Sequence, residues 1–98
     1  MIRTSNQNAR KYVEQRVEFN GNNTYARWEQ GTHDKYYVVY SYGSHFPMYV
    51  YDVHLGWFEN SDKYSVTTSK QQSQLRPSSD AVSKTTQELK DLVFLSHV

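Results

Sequence analysis

The stretch KYYVVYSY, Lys35–Tyr42, decides the fold class. Tyr36, Val38, Tyr40 and Tyr42 share one face of an extended chain, and Tyr37 and Val39 share the other. A run that is aromatic or β-branched on both faces belongs in the middle of a sheet, or has one face waiting for a partner. Toward the N-terminus, Gln30–Asp34 reads as a turn and Thr24–Glu29 as a strand with Ala26 and Trp28 on one side. Asn20-Gly21-Asn22-Asn23 tolerates positive φ and closes a hairpin. Before it, Val13, Gln15, Val17 and Phe19 alternate with Tyr12, Glu14, Arg16 and Glu18, the pattern of a half-buried strand. Residues 1–10 show no period and read as a loose arm.

Toward the C-terminus, Gly43–Pro47 interrupts the run, and Met48–Val53 resumes as a strand. His54-Leu55-Gly56 turns into Trp57-Phe58-Glu59, and Asn60-Ser61-Asp62 turns again into Lys63–Thr67. A short helix follows, capped at Thr68 or Ser69 and stopped before Pro77, which disfavours helix at the residue preceding it. Leu75 is its single aliphatic anchor. Thr85 with Glu88 forms a second capping box, and Leu89, Leu92, Val93 and Leu95 mark one face of a second helix. The expectation is one α+β domain over 1–98, an antiparallel sheet of about five strands followed by two short C-terminal helices.

Aromatic residues make up 15% of the 98, nine of them Tyr, which argues for a folded domain despite a hydrophobic content of 37%. Net charge is +1, but the charges are uneven. Residues 1–16 set four bases against Glu14, and residues 17–60 set Arg27 and Lys35 against five acids. Neither a polyanionic nucleic-acid mimic nor a strongly basic nucleic-acid binder has this balance. The chain has no Cys, in keeping with a reducing compartment. No apolar run is long enough for a signal peptide or a membrane span, so the expected setting is the cytoplasm.

Sites of chemistry are sparse. Asp52 and His54 would share a strand face, but two ligands do not hold a metal, and no histidine–glutamate or Cys cluster completes them. No nucleophile elbow or phosphate-binding glycine loop is present. The reading is therefore non-enzymatic, with no cofactor and no metal. What stands out is the polar run Thr67, Thr68, Ser69, Lys70, Gln71, Gln74, Arg76. Its hydroxyls and Lys70 at a helix N-terminus suit a phosphate, and its Gln residues suit base edges or backbone positioning. The same groups suit the rim of a protein interface, or simply a capped helix facing water. Tyr36, Tyr37, Tyr40, Tyr42, Tyr49 and Tyr51 come from neighbouring segments. Depending on which sheet face is left uncovered, Tyr37, or Tyr40 and Tyr42, become contact residues, since Tyr combines rigid area with a hydroxyl.

The segments KYYVVYSYG, VYD, WFEN and KYSVTTSKQQSQLR together resemble a family of small uncharacterised domains found in phages and mobile elements. The resemblance covers roughly residues 34–76 and is most specific over Tyr64–Gln74. Members are expected to carry a His after the Lys. Gln71 and Gln72 stand there instead, which removes the group on which a catalytic or metal role would rest. The resemblance implies a phage setting and hence a binding role in the host cytoplasm. The leading expectation is an anti-CRISPR-type inhibitor that contacts a host protein, such as a defence nuclease, through the Tyr-rich face and Thr67–Arg76. The alternative is a nucleic-acid-binding accessory protein using Lys70, Arg76, Arg3, Arg10 and Lys11. A homodimer through the Tyr-rich strand is also open.

Overall fold

Five strands run as an antiparallel meander through the centre of the sheet in the computed structural model, which describes residues 2–30, 35–41, 46–62, 66–78 and 80–94. They are β2 (Phe19–Asn20), β3 (Thr24–Gln30), β4 (Lys35–Ser41), β5 (Phe46–Asp52) and β6 (Gly56–Asn60). A short strand, β1 (Ile2–Arg3), adds to β2, and β7 (Ala81–Lys84) adds to β6, both in parallel. The described sheet therefore has seven strands in the order β1-β2-β3-β4-β5-β6-β7 and is mixed, not the five-stranded antiparallel sheet expected. β4, the stretch apolar on both faces, lies at its centre.

The two parallel additions explain where the helices sit. α1 (Asn6–Gln15) connects β1 to β2, and α2 (Val66–Leu75) connects β6 to β7. Four antiparallel steps separate β2 from β6, so these two strands point the same way, and both crossovers step in the same lateral direction. Such crossovers are right-handed in nearly all sheets, which places both helices on one face. They do pack side by side there, and α3 (Thr86–Phe94) takes the opposite face over β5 and β6.

Each face has its own core. Phe19, Ala26, Tyr37, Val39, Tyr49 and Trp57 meet Ala9 and Val13 of α1 and Leu75 of α2. Tyr25, Tyr36, Val38, Tyr40, Val50 and Phe58 share the other face with Leu89 and Val93 of α3. A bulge on β5 keeps this assignment consistent. Val39 pairs with Tyr49 and Tyr40 with Pro47, so Met48 is the extra residue and both Met48 and Tyr49 turn toward the helix pair. The bulge also accommodates Pro47 in an interior strand, where a missing ladder donor is otherwise excluded.

The N-terminal reading is corrected. Residues 2–15 are a strand and a helix, not an arm and the start of a hairpin. Ala9, Tyr12 and Val13 stand at i, i+3 and i+4, and the Ser5 hydroxyl accepts from the Asn8 N–H at 3.4 Å as the N-cap. The helix ends at Arg16, whose left-handed φ of 56° lets its N–H reach the Val13 carbonyl, while the Val17 N–H reaches that of Tyr12. Only Phe19 and Asn20 remain as strand, opposite Ala26 and Tyr25. Where β2 is too short to serve β3, the Glu18 carboxylate accepts the Trp28 backbone N–H at 2.9 Å. The expected strand Lys63–Thr67 is also corrected, because Val66 and Thr67 belong to α2; Lys63, Tyr64 and Ser65 lie outside the described residues.

α3 begins as its capping box requires. The Thr85 N–H donates to the Glu88 carboxylate at 2.9 Å, and the Glu88 N–H returns to the Thr85 hydroxyl at 3.2 Å. Leu89 and Val93 are buried and Leu92 half-buried, as the helical spacing indicates; Leu95 lies outside the described residues.

Candidate interaction surface

α2 starts at Val66, so Thr68 and Ser69 lie inside its first turn and neither is the N-cap. The N-cap role expected of Thr68 or Ser69 is thereby corrected. The side chains of Thr67 and Thr68 lie outside what the structure describes, and Ser69 is half-buried. The helix turns Gln71, Gln72 and Leu75 inward and leaves Lys70, Ser73 and Gln74 exposed. Gln71 and Gln72 stand four and three residues before Leu75, so the spacing to that one aliphatic residue already carries the inward assignment.

The inward residues fasten α2 firmly. Leu75 is fully buried, the Tyr49 hydroxyl donates to the Gln72 carbonyl at 2.7 Å, and Gln72 Nε2 donates to the Asn60 carbonyl at 3.0 Å. Gln71 Nε2 reaches the Asn23 carbonyl at 3.4 Å, while its Oε1 is buried without a hydrogen-bond partner. Gln71 is thus a structural residue. Arg76 follows the helix, half exposed, with its guanidinium 2.7 Å from the Glu59 carboxylate. That pair orients the side chain and adds little stability at such exposure.

The Tyr-rich face is not an open surface. Tyr37 is fully buried, its hydroxyl donating to the Val17 carbonyl at 2.7 Å beneath the helix pair. Tyr40 is buried on the α3 face, stacked on Tyr25 at 4.8 Å, with its hydroxyl 3.4 Å from the Glu29 carboxylate. Burial raises the pKa of both phenols, reinforced by Glu18 at Tyr37 and by Glu29 at Tyr40. Tyr49 is pushed up to about 12 by burial, with Arg76 opposing. Tyr42 lies outside the described residues. β4 (Lys35–Ser41) is paired along both edges and buried on both faces, so the described strand presents neither a free edge nor an open face to a second copy.

What the outer surface offers is polar. On α1, beside α2, Arg10, Lys11, Glu14 and Gln15 are exposed. Arg10 Nε lies 3.5 Å from the Glu14 carboxylate, which also accepts the Ser78 hydroxyl, and the Lys11 ammonium sits over the Tyr12 ring. Lys70, Ser73 and Gln74 continue this layer, and Arg76 closes it. The exposed cations outnumber the acids, and α2 itself carries no acid at all.

Asn60 is a structural centre that the sequence reading took for a turn residue. It is buried, and its Nδ2 donates to the Pro47 carbonyl at 2.8 Å and to the Thr86 hydroxyl at 2.9 Å. Its Oδ1 accepts the Asp62 N–H, and its carbonyl holds Gln72. Through its side chain and its carbonyl, this one residue ties β5, β6, α2 and α3 together. Asp52 is similar in kind: its carboxylate accepts the N–H groups of His54 and Leu55 at 2.7 and 3.1 Å and closes the β5–β6 turn. Among the described residues no group of three His, Asp or Glu side chains is placed to hold a metal. His33, His45 and His97 lie outside them. No described helix is long and apolar enough to cross a membrane.

The chain matches no protein-family model, no curated protein and no solved structure.

Proposed function

We propose that this chain is a small non-enzymatic binding protein of the phage accessory type, acting in the host cytoplasm as an anti-CRISPR-type inhibitor of a host defence protein. The contact is made by the outer face of the α1–α2 layer, with Arg10, Lys11, Lys70, Gln74 and Arg76 as its polar groups. The observation that carries this reading is the division of labour within α2. Its inward side is pinned by Leu75, Gln72 and the Tyr49 hydroxyl, and its outward side presents an acid-free polar strip. A rigid, pre-positioned strip loses little entropy on binding, which is what an inhibitor acting by occupancy requires. The tyrosines contribute by holding the layer in place rather than by touching the partner.

The reading is tested by expressing the chain in bacteria that restrict a phage by CRISPR interference. Plating efficiency should rise, and the charge reversal Lys70→Glu together with Gln74→Glu should abolish the rise while leaving the circular dichroism spectrum unchanged. Unaltered plating across a panel of nuclease-based defences would sink the proposal.

A nucleic-acid accessory role is the second reading, favoured by the surplus of cations over acids on the same layer. It requires an affinity that falls steeply with salt, with a log–log slope of about −0.9 per phosphate neutralised, and weakening by Lys70→Ala. A mobility shift that is absent even at low salt removes it.

A further inference from the structure

We propose that two copies of this chain associate by antiparallel pairing of their β7 strands, continuing the sheet across a two-fold axis at Ser83. The Lys84 carbonyl accepts the Ser61 N–H at 2.8 Å and so faces β6. Backbone polar groups alternate in direction along a strand, so Val82 also faces β6, and Ala81 and Ser83 turn their N–H and C=O outward. Among the described residues no strand lies beyond β7.

Two further features single out this edge. First, α3 packs chiefly over β5 and β6, and Val82 of β7, paired with Phe58, is left 56% exposed. Second, the usual guards of a free edge are few. The opposite edge, β1, is only two residues long, whereas β7 has four, with no proline and no register shift in its pairing. Its one charge, Lys84, ends the strand with its ammonium 5.8 Å from the Phe58 ring centre.

A second copy fits this edge because the edge is complementary to itself. With Ser83 on the axis, each Ser83 N–H donates to the other's carbonyl, an isologous pair. That register sets Val82 opposite Lys84 of the second copy, so the aliphatic stem covers the exposed valine. The ammonium is carried toward the groove lined by Glu88 and Asp91, where acids outnumber bases. The joint is small, and the dimer is accordingly weak and concentration-dependent.

Sedimentation velocity over a concentration series should show the mass rising from 11.6 kDa toward twice that value. Ser83→Pro removes an N–H that does not serve β6, and Val82→Lys places a charge at the joint; each should weaken self-association about tenfold or more. Circular dichroism checks that each variant retains the fold. Because the chain has no Cys, Ser83→Cys reads one position alone and should yield a covalent dimer on oxidation, whereas Asn8→Cys on exposed α1 should not. The proposal is overturned by a monomer at every concentration, by a dimer that either folded substitution leaves intact, or by equal cross-linking from both cysteine variants. An edge reserved for a strand of another protein gives the first of these outcomes.

Discussion

Asn60 shows how much of this fold hangs on single polar side chains. Its amide is buried, so each of its hydrogen bonds is made in a medium where an unmet partner is costly. Asn60→Ala would strand the Pro47 carbonyl and release both the Thr86 hydroxyl and the Asp62 N–H. The expected loss is about 3 kcal/mol, read as a lower urea midpoint at unchanged slope. Neighbouring Gln71 is the counter-case, a buried amide with one long hydrogen bond and one orphan oxygen. The role of Asn60 was not legible locally. Asn60 follows an alternating strand and precedes Ser61 and Asp62, a context typical of turns, and only the approach of β5 and α3 makes it a centre. The inward turn of Gln71 and Gln72 was legible in principle from their spacing to Leu75, but polarity alone pointed them outward.

At the scale of elements, α3 is the part whose stability responds to acid. The Thr85 N–H bond holds the Glu88 carboxyl below the usual carboxylate range, and the Thr86 N–H bond does the same for Asp62. A pKa lowered by folding contributes stability that is present above the unfolded value, near 4, and is lost as pH falls through the folded one. Below about pH 4 the first turn of α3 should therefore exchange its amide protons faster, ahead of α1, whose Ser5 cap carries no carboxylate. Hydrogen exchange followed by NMR measures this, and equal protection of the two helices across the acid range would refute it. Thr85→Ala should cost about 1 kcal/mol at neutral pH as a lost cap. This element was legible in the sequence because a capping box and a helical stripe are local patterns. α1 was not. Val13 belongs both to the period-2 series with Val17 and Phe19 and to the helical set with Ala9 and Tyr12, and local pattern leaves the choice open.

For the molecule as a whole, the deciding feature is a sheet covered on both faces, which converts its tyrosines from candidate contacts into core. Tyr37, Tyr40 and Tyr49 have folded pKa values raised by burial, Tyr49 to about 12. A phenol raised in this way contributes stability that is complete below the unfolded value, near 10, and is lost as pH rises through the folded one. In an absorbance titration these three should ionise only together with the loss of the circular dichroism signal. Ionisation of all nine near pH 10 with the fold intact would contradict the burial described here. The same two-sided cover removes Tyr37, Tyr40 and Tyr49 from the proposed interface, which falls to the outer α1–α2 layer.

The sequence by itself determined the centre of the sheet, the turns at 20–23 and 54–56, the start of α3 and the polar outer strip of α2. Each of these is written in residues a few positions apart: alternation, turn formers, a hydroxyl three residues from a carboxylate. The turns expected at 31–34 and 43–45 lie outside the described residues. Only the tertiary structure decided that residues 6–15 are helix, that β1 and β7 extend the sheet in parallel, and that Asn60 faces inward. These outcomes depend on groups far apart in the chain. A two- to four-residue strand such as β1 or β7 holds its conformation through pairing with its neighbour, and a helix that fits two periods settles on the one that buries Ala9 and Val13 against the sheet.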